Sequence, residues 1–259
     1  MSIGKIRIGT SNGSMPGNKV TFPPAYQTKS RLHYYSTLLN TIEVNSCFYK
    51  TPLRSTYEKW VRDVPEDFQF TLKLSKDITH AKELSGDLAC MNTFLQAATG
   101  TGNKKGCLLI QFPGKITLEH FTQVEQILIQ LRLHDPGYEW RTAIEFRNSS
   151  WNIGETNDLL NEYKASMVLH DFSKGKVSEI MANANFVYMR FHGPTGNYRN
   201  SYSDHFLDEK AELIRELTIS GKDVYAYFNN TIGNAFENAR YLQSKLINHD
   251  ILPIPLPNE

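Results

Sequence analysis

The chain has 259 residues, 40% of them hydrophobic and 21% charged, which excludes a small disulfide scaffold and a disordered or low-complexity protein. Lys plus Arg number 28 against 27 Asp plus Glu, a formal net charge of +1. Overall charge therefore gives no support for a surface that follows duplex nucleic acid, although a local basic pocket stays open.

The first β-branched run is 5–11, KIRIGTS. It is followed by a helix-like stretch at 25–40 with Leu32, Tyr35, Leu38 and Leu39 on one face. A second strand is expected at 41–49 and a helix at 52–62, opened by Pro52 in its first turn. Strands at 69–75 and 106–113 flank a helix at about 83–98, and the next helix is expected at 117–133. A strand at 141–147, a helix at 155–163 and a strand at 166–172 continue the alternation, with a short helical piece near 177–183. The last strands are 185–193 and 223–230, with helices at 204–220, closed by Gly221, and 233–247, opened by Gly233-Asn234. Eight strand–helix repeats at this length point to an α/β fold, a single-domain (β/α)8 TIM barrel over 1–259. A doubly wound sheet is the competing reading. Against it, Gly9-Thr10-Ser11-Asn12-Gly13 is not the dinucleotide fingerprint G-x-G-x-x-G.

The cysteines Cys47, Cys90 and Cys107 are odd in number and far apart, with no C-x-x-C pair. That spacing suits buried thiols in a reducing compartment. The start, MSIGKIRIGTSNG, has no apolar targeting core, and no run reaches bilayer-spanning length. A cytoplasmic protein with no membrane partner is expected.

Side chains alternate along a strand, so each strand sorts into two sets. In 185–193, Val187, Met189 and Phe191 suit the outer helices, leaving Tyr188, Arg190 and His192 inside. In 141–147, Ile144 and Phe146 go outward, and Ala143, Glu145 and Arg147 inward. The same sorting puts Gly9, Ser11, Glu43, Asn45, Thr71, Lys73, Ser75, Gln111, Tyr225, Tyr227 and Asn229 inside; for 166–172 either His170 or Asp171 faces in. Their polar members fall late in each strand, at the face where barrel enzymes keep their active sites. Buried ionisable groups must be paired or wetted. One reading is a structural ion-pair network with no ligand. The other is a pocket whose three cations, Lys73, Arg147 and Arg190, outnumber Glu43 and Glu145 and favour a small anionic ligand.

These residues and motifs resemble a known family, domain of unknown function 72, also called YecE-like. The matching runs are IRIGTS at 6–11, IEVNSCFYKTP at 42–52, Trp60 followed by VPEDFQFTLKLS at 64–75, and ITH at 78–80. They continue with LIQFP at 109–113, IEFRNSSW at 144–151, YMRFHGPTGNYRNSY at 188–202 and VYAYFNNT with Ala235 at 224–235. The resemblance spans nearly the whole chain and implies a TIM barrel, loosely comparable with sugar isomerases and epimerases, with no established activity. It implies that Glu43, Asn45, Lys73, His80, Gln111, Glu145, Arg147, Trp151, Arg190, His192, Asn229 and Asn230 line the pocket. Many relatives carry an aromatic residue soon after the first strand, where this chain reads Asn12-Gly13-Ser14-Met15-Pro16-Gly17.

Glu43, Glu145, His192 and Lys73 are the candidate catalytic residues. The glutamates suit a proton-transfer pair, and Lys73, Arg147 or Arg190 suit stabilisation of an enediolate without a metal. Equally, each glutamate is the partner of a neighbouring cation. His80 and His192 are either acid–base groups or hydrogen-bonded loop histidines. Asn45, His80, Gln111, Arg147, Trp151, Arg190, Tyr198, Asn229 and Asn230 are the candidate substrate-binding residues. Asn229 and Asn230, with Thr231 to Asn234, suit an anion cup or simple helix capping. In the loop 193–203, Tyr198 and Tyr202, with Trp151, either stack on a ligand or pack the loop down. Trp60 and Trp140 read as packing residues. Glu145, His170, Asp171 and His192 lack a tight ligand spacing, and the nearby arginines oppose a dication, so neither metal nor cofactor is expected.

The favoured function is an enzyme for a small anionic, sugar-like metabolite, phosphorylated or carboxylated, acting by metal-independent acid–base chemistry. The alternative is a nucleic-acid factor that takes a single strand or a flipped nucleotide. A third reading is a module that binds without converting its ligand.

Overall fold

The structure is a computed structural model that describes residues 2–172, 177 and 184–247. It is a mixed α/β fold built on parallel sheets. One sheet holds β1 (Ile6–Thr10) beside β10 (Asp223–Phe228), then β8 (Phe186–Phe191) and β7 (Leu169–His170). The other runs β2 (Thr41–Val44), β3 (Gln69–Lys73), β4 (Lys105–Gln111), β5 (Arg141–Glu145) and β6 (Ala165–Met167). Every pairing within both sheets is parallel. A short parallel pair, β9 (Arg199–Asn200) with β11 (Ile232–Gly233), stands apart.

The two sheets are joined by a parallel bridge between Ser11 and Glu43 that continues β1 alongside β2. Close approach at this seam explains Gly9. A Cβ there would lie 2.2 Å from the Thr41 carbonyl oxygen, nearer than any side chain is accommodated.

Outward side chains such as Ile8, Leu72, Ile110, Ile144, Val187, Met189 and Ala226 join one large apolar core with the helices. Inward side chains form a separate cluster of Cys107, Leu109, Ala143, Val168, Phe186, Tyr188, Tyr225 and Tyr227. The alternation read from the sequence thus places both sets on the expected sides. The inner tyrosines are buried with their hydroxyls bonded, as burial requires. The Tyr227 hydroxyl lies 2.7 Å from Thr41 Oγ1 and 2.6 Å from Thr71 Oγ1, and Tyr225 donates to Gln69 Oε1 at 2.7 Å.

The helices are α1 (Arg31–Leu38), α2 (Ser46–Tyr49), α3 (Arg54–Arg62), α4 (Lys76–Thr79), α5 (Ala89–Ala98), α6 (Phe121–His134), α7 (Gly154–Glu162), α8 (Asp204–Ile219) and α9 (Ala235–Ile247). Several boundaries differ from expectation: α1 begins only at Arg31 and α5 only at Ala89, and the strand expected at 166–172 is split into β6 and β7. The second strand stops at Val44, because Asn45 turns into the helical region and Ser46–Tyr49 form a helical turn. Pro52 lies outside α3, whose cap is Leu53, so it precedes the first turn instead of opening it. Gly221 closes α8 with φ of 89°, a conformation that favours glycine. The helical piece expected near 177–183 falls, apart from Val177, outside the described residues.

Cys47 and Cys107 are buried and Cys90 is half-buried, all three as free thiols. Among the described residues no helix is long and apolar enough to cross a membrane.

Candidate active site

The inward residues at the ends of β2, β5 and β8 form a buried ion network. Arg190, on β8, is only 1% exposed. Its Nε donates to Glu43 Oε2 at 3.0 Å and one terminal nitrogen donates to Glu43 Oε1 at 2.8 Å. The other terminal nitrogen donates to Glu145 Oε2 at 2.9 Å. Ser11 and Tyr188 each donate to Glu43 at 2.6 Å, so its carboxylate accepts four hydrogen bonds. Glu145 accepts a further bond from Arg147 Nε at 2.7 Å.

Burial would raise the pKa of Glu43, but the Arg190 charge and the four donors outweigh it and hold the carboxyl below its ordinary range. Glu145 is likewise held well below that range, burial being overcome by Arg190, Arg147 and the nearby histidines. Both glutamates are ionised. They are paired partners in this geometry, Glu43 with four donors and Glu145 with two arginines.

His192 is fully buried behind Arg147. Terminal nitrogens of Arg190 and Arg147 approach its Nε2 at 3.3 and 3.4 Å. Guanidinium nitrogens only donate, so Nε2 accepts and the ring proton sits on Nδ1, 3.4 Å from Asp171 Oδ1. Burial lowers the His192 pKa and keeps the ring neutral. Asp171 also accepts from the His192 main chain at 2.7 Å and from the Tyr202 hydroxyl. Its neighbour His170 is turned to the Phe146 carbonyl oxygen, 2.9 Å from Nε2. Of the two residues left open by the sequence, Asp171 is the one that reaches the ion network.

Beside this network opens a cavity of about 550 Å³. Its walls are His80 after β3, Gln111 and Pro113 to Lys115 at the end of β4, Arg147, Asn148 and Ser149 after β5, and Phe172 after β7. All of these follow the C-terminal ends of strands. Among the described residues the charged groups on the wall are Lys115 and Arg147, with no carboxylate lining it. Arg147 is aimed by three contacts: Glu145 holds its Nε, the Tyr198 hydroxyl takes a terminal N–H at 2.9 Å, and the guanidinium lies 4.1 Å over the Phe172 ring. Tyr198 reaches that place through a left-handed backbone, φ 68°, an uncommon conformation for a bulky residue.

Lys73, the last residue of β3, sits directly behind the Gln111 wall, donating to Gln111 Oε1 at 2.8 Å. Its ammonium lies 4.1 Å over the Phe48 ring. His80 packs edge-on against the same ring at 4.9 Å, and its Nδ1 is 2.9 Å from the Thr79 hydroxyl. Burial, with the charges of Lys73, Arg147 and Lys115, pushes the His80 pKa down to about 4, so the ring is neutral at physiological pH.

The fold therefore brings His80, Gln111 and Arg147 to the cavity wall, with Lys73 behind Gln111 and Tyr198 bonded to Arg147, while Glu43, Glu145, Arg190 and His192 form the braced layer beneath. Other expected site residues go elsewhere. Trp151 is fully buried, stacked on Phe146 at 4.1 Å with its indole N–H on the Ile116 carbonyl at 2.9 Å, so it belongs to the core. Tyr202 stacks on Phe206 at 4.7 Å and packs the loop down. Asn230 ties Asn200 and Asn238 together at 2.8 and 3.0 Å, and the amides of residues 232–234 bond Tyr198, Asn230 and Asn200. The expected anion cup is thus closed by internal bonds, and neither Asn229 nor Asn230 lines the cavity. Asn45 takes the Asn12 side-chain oxygen on its main-chain N–H at 2.9 Å and is likewise off the cavity. Lys115, Asn148, Ser149 and Phe172 were missed, although each closely follows a strand end. Trp60 stacks on Phe70 at 6.2 Å and Trp140 is buried, both as packing residues. Among the described residues no group of three or more His, Cys, Asp and Glu side chains converges as a metal site would require.

A family described as "Protein of unknown function DUF72" matches residues 7–258. The chain is 27% identical over 254 residues to the UPF0759 protein YunF of Bacillus subtilis (strain 168), covering 85% of this chain and 88% of that protein. A crystal structure of a DUF72 family protein from Enterococcus faecalis V583 superposes with a TM-score of 0.78 at 22% identity, over 93% of this chain and 95% of that one. One from Thermotoga maritima MSB8 gives a TM-score of 0.71 at 24% identity, over 94% and 99% of the two chains.

Proposed function

This chain belongs to the DUF72 family, whose description names no activity, and we propose from its own pocket that it binds a small phosphorylated or carboxylated metabolite. The observation that carries the reading is the cavity of about 550 Å³ with Lys115 and Arg147 on its wall and no carboxylate among the described residues that line it. Glu43 and Glu145 are each bound by arginine, so Lys73 stands next to that wall with neither glutamate as its direct partner. Arg147 offers a planar fork already oriented by Glu145, Tyr198 and Phe172, so little side-chain freedom is lost on binding.

The same reading takes the two parallel sheets as one closed (β/α)8 barrel in a single domain. The Ser11–Glu43 bridge joins β1 to β2, and only Val168 separates β6 in one sheet from β7 in the other. Barrel enzymes keep their sites at the C-terminal ends of the strands, where this cavity lies. The chemistry is an acid–base conversion that needs no metal, since a cationic wall repels a divalent cation. Neutral His80 and Lys73 are its proton-handling groups, because both glutamates are held ionised by their arginine partners.

A thermal-shift panel of inorganic phosphate, sugar phosphates, carboxylates and short single-stranded DNA and RNA tests the reading. A ligand at about a hundred times its dissociation constant adds roughly 2.7 kcal/mol, an easily measured shift. The expected result is a shift with a small phosphate or carboxylate that is lost in Lys115→Ala and Arg147→Ala. No shift with any small anion, together with a salt-sensitive shift with single strands, would replace this reading with nucleic-acid binding.

A further inference from the structure

Lys73 differs from every other buried cation among the described residues. Arg7 has Asp67 at 3.7 Å, Lys104 has Glu66 at 3.9 Å, and Arg190 has Glu43 and Glu145 at 2.8 and 2.9 Å. Lys73, 9% exposed, has no described carboxylate within ion-pair distance. Its contacts at Nζ are one amide oxygen, Gln111 Oε1 at 2.8 Å, and the face of Phe48 at 4.1 Å. An ammonium carries three N–H donors, so this is a poor place to keep a proton. A structural lysine would be expected to take one of the two glutamates. Both are bound by arginine instead.

The position is as specific as the pairing. Gln111 holds Nζ and also lines the cavity, so the amine stands one hydrogen bond behind the wall. Arg147 and Lys115 line the same cavity, and His80 stands on it with a neutral ring.

We infer that Lys73 is a nucleophile that condenses with the carbonyl group of a small anionic aldehyde or ketone held in this cavity. The inference rests on the anion-binding reading and narrows its substrate class to carbonyl compounds. The neutral amine attacks the carbonyl carbon, a C–N bond forms, and the carbonyl oxygen becomes a hydroxyl as nitrogen loses a proton. That hydroxyl then leaves with a second proton as water, giving a C=N bond, which takes up one proton to become an iminium. No oxidant or reductant is needed. The iminium withdraws electrons from the adjacent carbon, which makes removal of its proton easier than in the free carbonyl compound. His80 is placed on the cavity to exchange the protons of these steps.

Burial and the charges of Arg190 and Arg147 push the Lys73 pKa down to about 8, against the partial opposition of Glu145 and Glu43. Near neutrality such a lysine holds on the order of a hundred-fold more free amine than an exposed one.

The test uses the full chain with dihydroxyacetone phosphate and with pyruvate, reduced in place by sodium borohydride and read by intact mass and peptide mapping. Reduction fixes the iminium as a secondary amine, an added mass equal to the ligand less one oxygen. The expected result is one adduct on the Lys73 peptide, absent in Lys73→Arg and Lys73→Met, with a yield that rises as pH passes through about 8. The pH profile of the wild-type protein stands independently if either variant fails to fold. An adduct spread over exposed lysines, or no adduct on Lys73 with either probe, overturns the inference. If inorganic phosphate still raises Tm in that case, the anion-binding reading survives alone. If inorganic phosphate gives no shift and neither probe is trapped, both fall.

Discussion

The guanidinium of Arg190 meets the carboxylate of Glu43 as a two-pronged fork, 3.0 and 2.8 Å, at a point where the arginine is 1% exposed and the glutamate fully buried. A third bond to Glu145 at 2.9 Å completes the arginine's hydrogen bonding to carboxylates. Arg190 thus ties β8 to β2 and β5 across the interior, which is an architectural role. It is Arg147, one layer further out, that turns towards the cavity.

Replacing Arg190 by Met leaves two buried carboxylates without their shared cation. Breaking a buried pair in this way costs about 3–5 kcal/mol. Urea denaturation is expected to show a loss of that size for Arg190→Met. Arg147→Met, with Arg190 still beside Glu145, is expected to lose less stability and more anion affinity.

The pH dependence of stability has two limbs. His80 has a folded pKa near 4 against an ordinary 6.5, so the folded state binds fewer protons and stability falls as pH drops from 6.5 towards 4. Glu43 and Glu145 are also depressed, so their contribution is complete above about 4.5 and is lost as the pH falls through their lower folded values. Denaturation midpoints measured from pH 8 to pH 3 are expected to decline gently and then steeply. His80→Asn should flatten the upper part of the decline and leave the lower limb in place.

Trp151→Ala separates packing from binding. The ring is fully buried between Phe146 and Phe121, so its removal is expected to cost about 3–5 kcal/mol. Phosphate affinity, measured on the folded fraction by calorimetry, should stay unchanged. A selective loss of affinity would place the indole in the binding site.

Tyr198→Phe removes one hydroxyl that accepts from Arg147 at 2.9 Å and keeps the ring against His192 and Phe172. Loss of a bond to a charged group costs about 1.5–3 kcal/mol when both groups are buried, and less at this partly exposed position. Phosphate should bind several-fold more weakly, with Tm little changed. An unchanged dissociation constant would show that Glu145 and Phe172 suffice to aim the arginine.

Gly9→Ala tests the seam between the sheets. The added methyl would lie 2.2 Å from the Thr41 carbonyl oxygen, so β1 and β2 must separate there. A large fall in Tm, or failure to recover soluble protein, is the expected outcome. An unaltered Tm would mean that the seam yields without cost.

Much of this architecture was legible in the sequence for a definite reason. A strand has a side-chain period of two, so a run such as Phe186–Phe191 declares which residues meet the helices and which meet the interior. The same regularity located Lys73, Gln111, Glu145 and Arg147 near strand ends, and the family resemblance followed from those motifs. Boundaries set by local turn chemistry were less legible, as with the helical turn Ser46–Tyr49 and the cap at Leu53. What period and position could not decide is which charge pairs with which. Arg190 on β8 and Arg147, two residues past the end of β5, both come from inward-facing positions, yet one is bound by two carboxylates and the other faces the cavity. Pairing depends on distances of 3 Å between residues as far apart in the chain as Glu43 and Arg190, and only the folded chain fixes them. The same is true of Lys73, whose distinctive property is the carboxylate it lacks.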